Sequence, residues 1–386
     1  MPTNKAAWIP AKKAVPLQVG DAPYTPPGPG QIVVRNGAVG INPFDWVLQM
    51  QGPLFAPHLQ YPMVLGIDVA GTVVEVGPDV TRFQVGDRVA GSAVSGDKSS
   101  GNAAEGAFQL YSVLREHMVA PVPDEVSDEQ AAVLGLGIGT AAYGLFHANY
   151  LALDLPQVPP PSNPRPRESL SRVIIITGGA SSVGSCAIQL AVSAGYEVVS
   201  TSSPKNFAYV KGLGASHVFD YNSPTLVADL VRVLDGRELV GAYTVGANAD
   251  QVCAAVMKER LAKTPQLPTR KFIALAGGAR RGPEAFRGTL APYRMMGGMV
   301  SMMGRNAVTK LLSGIEIKFI MIVGLVEPDS CVSRVYLDFL GPALAAKQFV
   351  PAPEPQVVGR GLEKINDALE ISQGGVSARK LVVSLP

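Results

Sequence analysis

No stretch of this chain restricts its fold more than Val173-Ile174-Ile175-Ile176-Thr177-Gly178-Gly179-Ala180-Ser181-Ser182-Val183-Gly184. A continuous apolar strand, Val173–Thr177, enters a turn of small residues, and a helical segment, Ser185–Ala194, leaves it. In that setting Gly178 permits a tight turn. The small residues Gly179, Ala180, Ser181 and Ser182 let backbone amides approach a pyrophosphate, and Gly184 lets the helix lie close to the strand. The helix start, at Val183 and its neighbours, offers free N–H groups and a partial positive charge to a phosphate. The spacing departs from the G-x-G-x-x-G pattern, so the dinucleotide reading rests on the strand–turn–helix context as much as on the glycines.

The residues after this turn keep the matching rhythm. Strands are expected at Glu197–Ser200, His217–Asp220, Val240–Val245 and Lys271–Ala276, with helices between them, including Phe207–Leu213. Continuous apolar strands separated by helices predict a parallel, doubly wound sheet. Val245 ends the fourth strand and Leu275 and Ala276 end the fifth, on the edge that faces a cofactor in such sheets. An NAD site places an acid at the end of the second strand. Here that end reads Ser202-Ser203-Pro204-Lys205-Asn206, and Glu197 lies at the opposite end. Hydroxyls followed by a lysine suit a 2′-phosphate, so the expected cofactor is NADPH.

The first third is different. Gln31–Val39, Val69–Val76 and the segment from Val85 to Val89 look like short strands separated by Gly- and Pro-containing turns, which predicts a small barrel. Asp128–Leu145 looks helical. The proline-rich segment 155–168 reads as an extended, solvated surface linker. Near the end, Gly361–Ser372 has a helical pattern and Lys380–Leu385 a strand pattern. Arg294–Gly304 carries five of the 11 methionines and is open to two readings: the lining of a roomy apolar pocket, or core filling or a flexible loop.

Composition narrows the class. The 386 residues are 47% hydrophobic and 17% charged with net charge +2, enough for two cores and too little charge to favour nucleic acid or an anionic membrane. No apolar run is long enough to span a membrane, and the N-terminus lacks the apolar core of a signal peptide. Three scattered cysteines, Cys186, Cys253 and Cys331, argue for a reducing compartment, so a cytoplasmic enzyme is expected.

With these features in place, the chain resembles the medium-chain dehydrogenase/reductase superfamily over nearly its whole length. The resemblance is carried by Gly40-Ile41-Asn42-Pro43-Phe44-Asp45-Trp46, Leu65-Gly66-Ile67-Asp68-Val69-Ala70-Gly71, Val85-Gly86-Asp87-Arg88-Val89 and Gly178–Gly184 with Ile188-Gln189-Leu190-Ala191. It implies an α/β protein: a GroES-like β-barrel catalytic domain, at 1–132 and 327–386, and a Rossmann doubly wound parallel sheet, at 133–326. Zinc-dependent members carry Cys where this chain has Asn42, and Gly-His-Glu where it has Gly66-Ile67-Asp68. With four unclustered histidines and three cysteines, no metal site is expected. The remaining match is to the zinc-independent quinone oxidoreductase and enoyl reductase branch, most like the stand-alone enoyl reductases of fungal polyketide synthases.

That resemblance implies roles. Asn42 and Asp45 lie on the loop that in this branch faces the nicotinamide, where Asn42 could donate to a substrate carbonyl; Asp45 could instead cap the following helix. Thr140 matches a position beside the nicotinamide, though a mid-helix threonine also reads as packing; Ser181, Ser182 and Val183 match pyrophosphate contacts; and Ser203, Lys205 and Tyr221 match 2′-phosphate contacts, with a plain strand-end aromatic as the other reading of Tyr221. The tyrosine that donates a proton in mitochondrial-type enoyl reductases has no counterpart, since Leu54 or Phe55 stands near its place, and His58, Tyr61 or water are the alternatives. The implied substrate is a small molecule or carrier-bound acyl chain, with a polyketide synthase as a partner and a monomer or homodimer as the assembly. A zinc-free alcohol or carbonyl dehydrogenase, and an NADPH-retaining partner protein without turnover, are rival readings of the same residues.

Overall fold

The computed structural model describes residues 2–163, 170–277, 290–322, 324 and 326–386, the side chains of Pro53, Phe55 and Pro292 excepted. The chain packs as two compact units. One takes Met1–Leu136, Gly282–Met295 and Gly324–Pro386, and the other Gly137–Arg281 and Met296–Val323, as far as these are described.

The second unit is built on a six-stranded parallel sheet in the order His217–Asp220, Glu197–Ser202, Arg172–Ile176, Glu238–Val245, Phe272–Gly277, Glu316–Phe319. Val173 to Ile176 are fully buried, as a central strand with helices on both faces requires. The expected strands all form, and Glu316–Phe319 adds a sixth that its short, mixed sequence does not announce. One side of this sheet closes on a core that includes Val173, Ile175, Val199, Leu230, Leu239, Met257 and Ile273.

The first unit is antiparallel apart from one pairing. Its seven-stranded sheet runs Glu354–Arg360, Arg379–Ser384, Gln31–Gly40, Asp68–Val76, Arg88–Ser92, Val119–Pro121, with Tyr111–Arg115 also on Gln31–Gly40. The first pair is parallel. A three-stranded sheet of Gln18–Ala22, Asn4–Ile9 and Met63–Val64 stands beside it, and a helix, Pro43–Phe55, follows the central strand.

Three local expectations are corrected. Asp128–Leu145 is not one helix but two, Asp128–Ala131 and Gly135–Phe146. The Leu136 N–H donates to Asp68 Oδ1 at 2.5 Å, a side-chain acceptor that starts the second helix afresh. The proline-rich segment is tied down where it is described: Gln157 N–H donates to Ser193 O at 2.9 Å, and the Asn163 side chain bonds both backbone groups of Arg172. Residues 164–168 of that segment lie outside the described residues. The methionine-rich segment belongs to a helix, Ala291–Ser313, so it is not a loop; Met295 is buried, but Met296, Met299 and Met303 are exposed, so core filling describes only part of it.

Candidate active site

In the second unit the glycine-rich turn is held by hydroxyls at strand ends. Thr177 Oγ1 donates to Val245 O at 3.0 Å and accepts from Val245 N–H at 2.9 Å, locking two adjacent strand ends together. On the other side, Gly179 N–H donates to Thr201 O at 2.9 Å and Gly178 N–H to Thr201 Oγ1 at 3.3 Å. Gly178 has φ +64°, and a Cβ there would lie 2.6 Å from Val245 O. At Gly184 a Cβ would come within 2.2 Å of Gly178 O, so only glycine lets the helix start this close to the turn.

Ser181 is the N-cap of the Ser182–Ser193 helix: its Oγ accepts from Gly184 N–H at 3.0 Å and donates to Gly178 O at 2.8 Å. Its own N–H goes to Gly178 O at 2.9 Å. The amides of Gly179 and Ser181 are therefore spent on the turn itself, which corrects their expected role as phosphate donors. The first helical N–H groups, of Ser182 and Val183, have no acceptor within the helix, and Ser182 Oγ is buried with no hydrogen-bond partner. Ala180 leads into this helix start with no side-chain polar group to compete. An unsatisfied hydroxyl beside free amides at a helix start fits a pyrophosphate.

The next strand ends at Ser202, in register with Asp220 of the neighbouring strand, so that Tyr221 follows directly beside the Ser203 turn. Ser203 is half-buried and takes an amide hydrogen of Asn206 on its Oγ at 3.1 Å, while Lys205 and Tyr221 are exposed. Ser202 differs from expectation: it is buried and its Oγ donates to Ser203 O, so it shapes the turn instead of facing a ligand. Glu197 is engaged at the far end of its strand with Arg237, at 2.9 Å. Asp220 accepts from Asn222 N–H at 2.9 Å. Val245 and Ala276 are half-buried at their strand ends, whereas the Leu275 side chain is buried in the sheet and offers only backbone. Thr140 is half-buried, and its carbonyl accepts from the buried Tyr243 hydroxyl at 3.1 Å. Sequence reasoning missed the roles of Thr177 and Thr201, for which hydroxyls at neighbouring strand ends were the available signal, and of Tyr209 on the Phe207–Gly212 helix, whose hydroxyl bonds Ser185 Oγ at 2.8 Å.

In the first unit, Asn42, Asp45, Asp68 and Lys380 are each at least nine-tenths buried and gather at one place. Gly40, one end of the central strand, pairs with Asp68, the start of the next, and Val382 pairs with Gly40 from the other side. These registers bring Lys380 to Asp68, Nζ to Oδ2 at 2.7 Å, and Lys380 also donates to Asn42 Oδ1. Asp45, the third residue of the Pro43–Phe55 helix, accepts from Asn42 N–H at 2.7 Å, so it does act as a cap. Burial pushes its carboxyl up to about 7; the Asn42 N–H and Lys380 pull against this, and Asp68 adds to it. Sequence reasoning missed Lys380, although a lysine opening the apolar run Leu381-Val382-Val383 was a visible signal.

Of the candidate proton donors, His58 Nε2 is bound to Gly96 O at 3.1 Å, while the Tyr61 hydroxyl is buried without a hydrogen-bond partner and burial raises its pKa. Leu54 is exposed, and the Phe55 side chain lies outside the described residues. Among the described residues no three His, Cys, Asp or Glu side chains gather to hold a metal ion, and no helix is long and apolar enough to cross a membrane.

Comparison with known proteins adds a lineage. Residues 28–124 match the alcohol dehydrogenase GroES-like domain. The chain is 46% identical to the dehydrogenase pigH of Monascus ruber, over all of both chains. It is 38% identical to the zinc-binding alcohol dehydrogenase domain-containing protein cipB of Emericella nidulans, covering 99% of this chain and 98% of that one. The trans-enoyl reductase himH of Aspergillus japonicus is 36% identical, with 99% and 97% covered. Among solved structures, an alcohol dehydrogenase superfamily protein from Novosphingobium aromaticivorans superposes with a TM-score of 0.70 over all of both chains at 21% identity.

Proposed function

This chain belongs to the medium-chain dehydrogenase/reductase superfamily and is an oxidoreductase, and on that premise we propose that it uses NADPH to reduce a carbonyl-activated C=C bond, in an enoyl thioester or enone, without zinc. The observation that carries the reading is the cradle at Gly178–Gly184, with its buried, unsatisfied Ser182 hydroxyl, next to a turn that offers Ser203, Lys205 and Tyr221. The trans-enoyl reductase relative supports the choice of C=C, and with it a role in secondary-metabolite biosynthesis beside a polyketide synthase.

A bound NADPH supplies the hydride. The chain's own residues do the rest. The Ser182 and Val183 amides and Ser182 Oγ hold the pyrophosphate, and Ser203, Lys205 and Tyr221 hold the 2′-phosphate. Thr140, by its resemblance, lies beside the nicotinamide. Reduction at the β-carbon would place negative charge on the carbonyl oxygen, and Asn42 would be the donor fixed in advance to stabilise it. The α-carbon then needs a proton. Tyr61 is the candidate donor whose hydroxyl is not already committed, although the burial that raises its pKa makes it a reluctant acid.

The zinc-free reading is supported by Lys380. Where zinc-dependent relatives carry Cys and Gly-His-Glu, this chain sets an ammonium against Asn42 and Asp68, and a dication beside it would be repelled. The name of the pigH relative favours one alternative, a zinc-free dehydrogenase acting at C–O. Following NADPH absorbance with panels of enoyl thioesters, enones, quinones and aldehydes separates the two. Turnover confined to C=C acceptors is expected. Turnover confined to aldehydes supports the alternative, and tight NADPH binding with no turnover supports a non-catalytic partner.

A further inference from the structure

We infer that Lys380 is a positioning residue for Asn42: its ammonium, with its charge met by Asp68, fixes the amide so that Nδ2 is the group presented to the substrate's carbonyl oxygen. The inference rests on the role proposed for Asn42 in the reduction.

The chemistry of the contact is one-sided. An ammonium carries three donors and no acceptor, so the amide that faces it must face it with oxygen. The Lys380 hydrogen bond to Asn42 Oδ1 therefore decides which way the amide points. At the start of the Pro43–Phe55 helix the Asp45 N–H donates to the Asn42 backbone carbonyl at 3.1 Å and no cap bond forms to the Asn42 side chain, which leaves its oxygen to Lys380. Asn42 Nδ2 lies close enough to Asp45 to favour that group's charged form, yet it is buried and makes no hydrogen bond to any described group. A buried amide held at its oxygen end and unsatisfied at its nitrogen end is a donor waiting for an acceptor. The ammonium also polarises the amide through that oxygen, which strengthens the N–H groups opposite.

The fold provides for the lysine. Asp68 is fully buried and supports it at 2.7 Å with one oxygen, and takes the Leu136 N–H on the other. Gly40 makes the room: a Cβ there would lie 2.9 Å from the Asp68 Cβ and 2.3 Å from Ala132 O. The Ile41 N–H donates to Leu381 O at 2.9 Å, tying the segment before Asn42 to the strand that carries Lys380. Position, countercharge and space are thus all set before a ligand arrives.

The test removes both charges together, in Lys380→Met/Asp68→Asn, so that no buried carboxylate is left alone and the acceptor for Leu136 is kept. With an enoyl acceptor, kcat should fall by roughly tenfold or more, while the KM for NADPH stays within about twofold. In the free chain labelled with ¹⁵N-asparagine, the wild-type Asn42 side chain should give one sharp NH₂ pair; in the double variant the pair should broaden or double. Wild-type kcat, or an unmoved amide pair, overturns the inference. A wild type that reduces no C=C acceptor sinks the functional reading instead, and the amide signals alone then decide whether Lys380 holds Asn42. Should the double variant not fold, Asn42→Asp keeps an oxygen on Lys380 and replaces Nδ2: a loss in kcat of about a hundredfold with NADPH binding intact is expected, and wild-type turnover overturns the assignment.

Discussion

The glycine-rich turn of the second unit and the buried polar cluster of the first do comparable work by opposite means. The turn is contiguous in sequence, uncharged, and holds itself with hydroxyls and backbone, leaving two helical amides and one serine hydroxyl over. The cluster draws Asn42, Asp45, Asp68 and Lys380 from three separate stretches and depends on a buried ion pair. A neutral turn tolerates local change at local cost. A buried ion pair is a coupled device, in which loss of one partner strands the other.

Substitutions on either side probe that difference. The largest effect is expected from Lys380→Met alone, which leaves Asp68 buried and unpaired; unfolding by denaturant should show a loss of about 3–5 kcal/mol, most of it restored by adding Asp68→Asn. If the single variant is as stable as the double, the cluster is not coupled.

Next comes pH. Asp45 sits at about 7 in the folded chain against an ordinary value of 3.8, so the folded state keeps its proton where the unfolded state has lost it. Its contribution to stability is therefore undiminished below the unfolded value, falls as pH rises from there towards 7, and levels off above. Asp45→Asn, which keeps an acceptor for the Asn42 N–H, should remove a decline of about 2–4 kcal/mol over that window. Parallel pH profiles of the two proteins would contradict this.

A smaller loss is expected in the turn. Gly184→Ala pushes a methyl against Gly178 O, costing about 1–3 kcal/mol in local strain. It should weaken NADPH and NADH alike in a binding titration, since both carry the pyrophosphate. The smallest effect is the most selective: Lys205→Ala should raise the KM for NADPH about tenfold, ~1.4 kcal/mol, and hardly change that for NADH.

The same contrast explains what was legible in the sequence. The turn could be read because its information is local: an apolar strand, small residues and a helix in succession, each with one physical reason. What escaped there was finer, the spending of the Gly179 and Ser181 amides and of the Ser202 hydroxyl on the turn itself, which depends on the exact backbone path. In the cluster, Asn42, Asp45 and Asp68 were singled out by resemblance, but their meeting with Lys380 is set by strand register across more than 300 residues of chain, which no periodicity encodes. The break between Asp128–Ala131 and Gly135–Phe146 was hidden for the same reason, its cause being a carboxylate 68 residues away. Ala291–Ser313 misled in another way: Met296, Met299, Val300 and Met303 recur at helical spacing, but that stripe lies exposed, so neither a core nor a pocket explains it.

The cofactor assignment, on which the other roles depend, stands or falls on a paired titration of the wild-type chain with NADPH and NADH, followed by nicotinamide fluorescence. NADPH should bind at least about tenfold more tightly, because only it carries the phosphate proposed to sit at Ser203, Lys205 and Tyr221. Equal affinities would contradict the 2′-phosphate assignment, and no binding of either would contradict the cofactor itself.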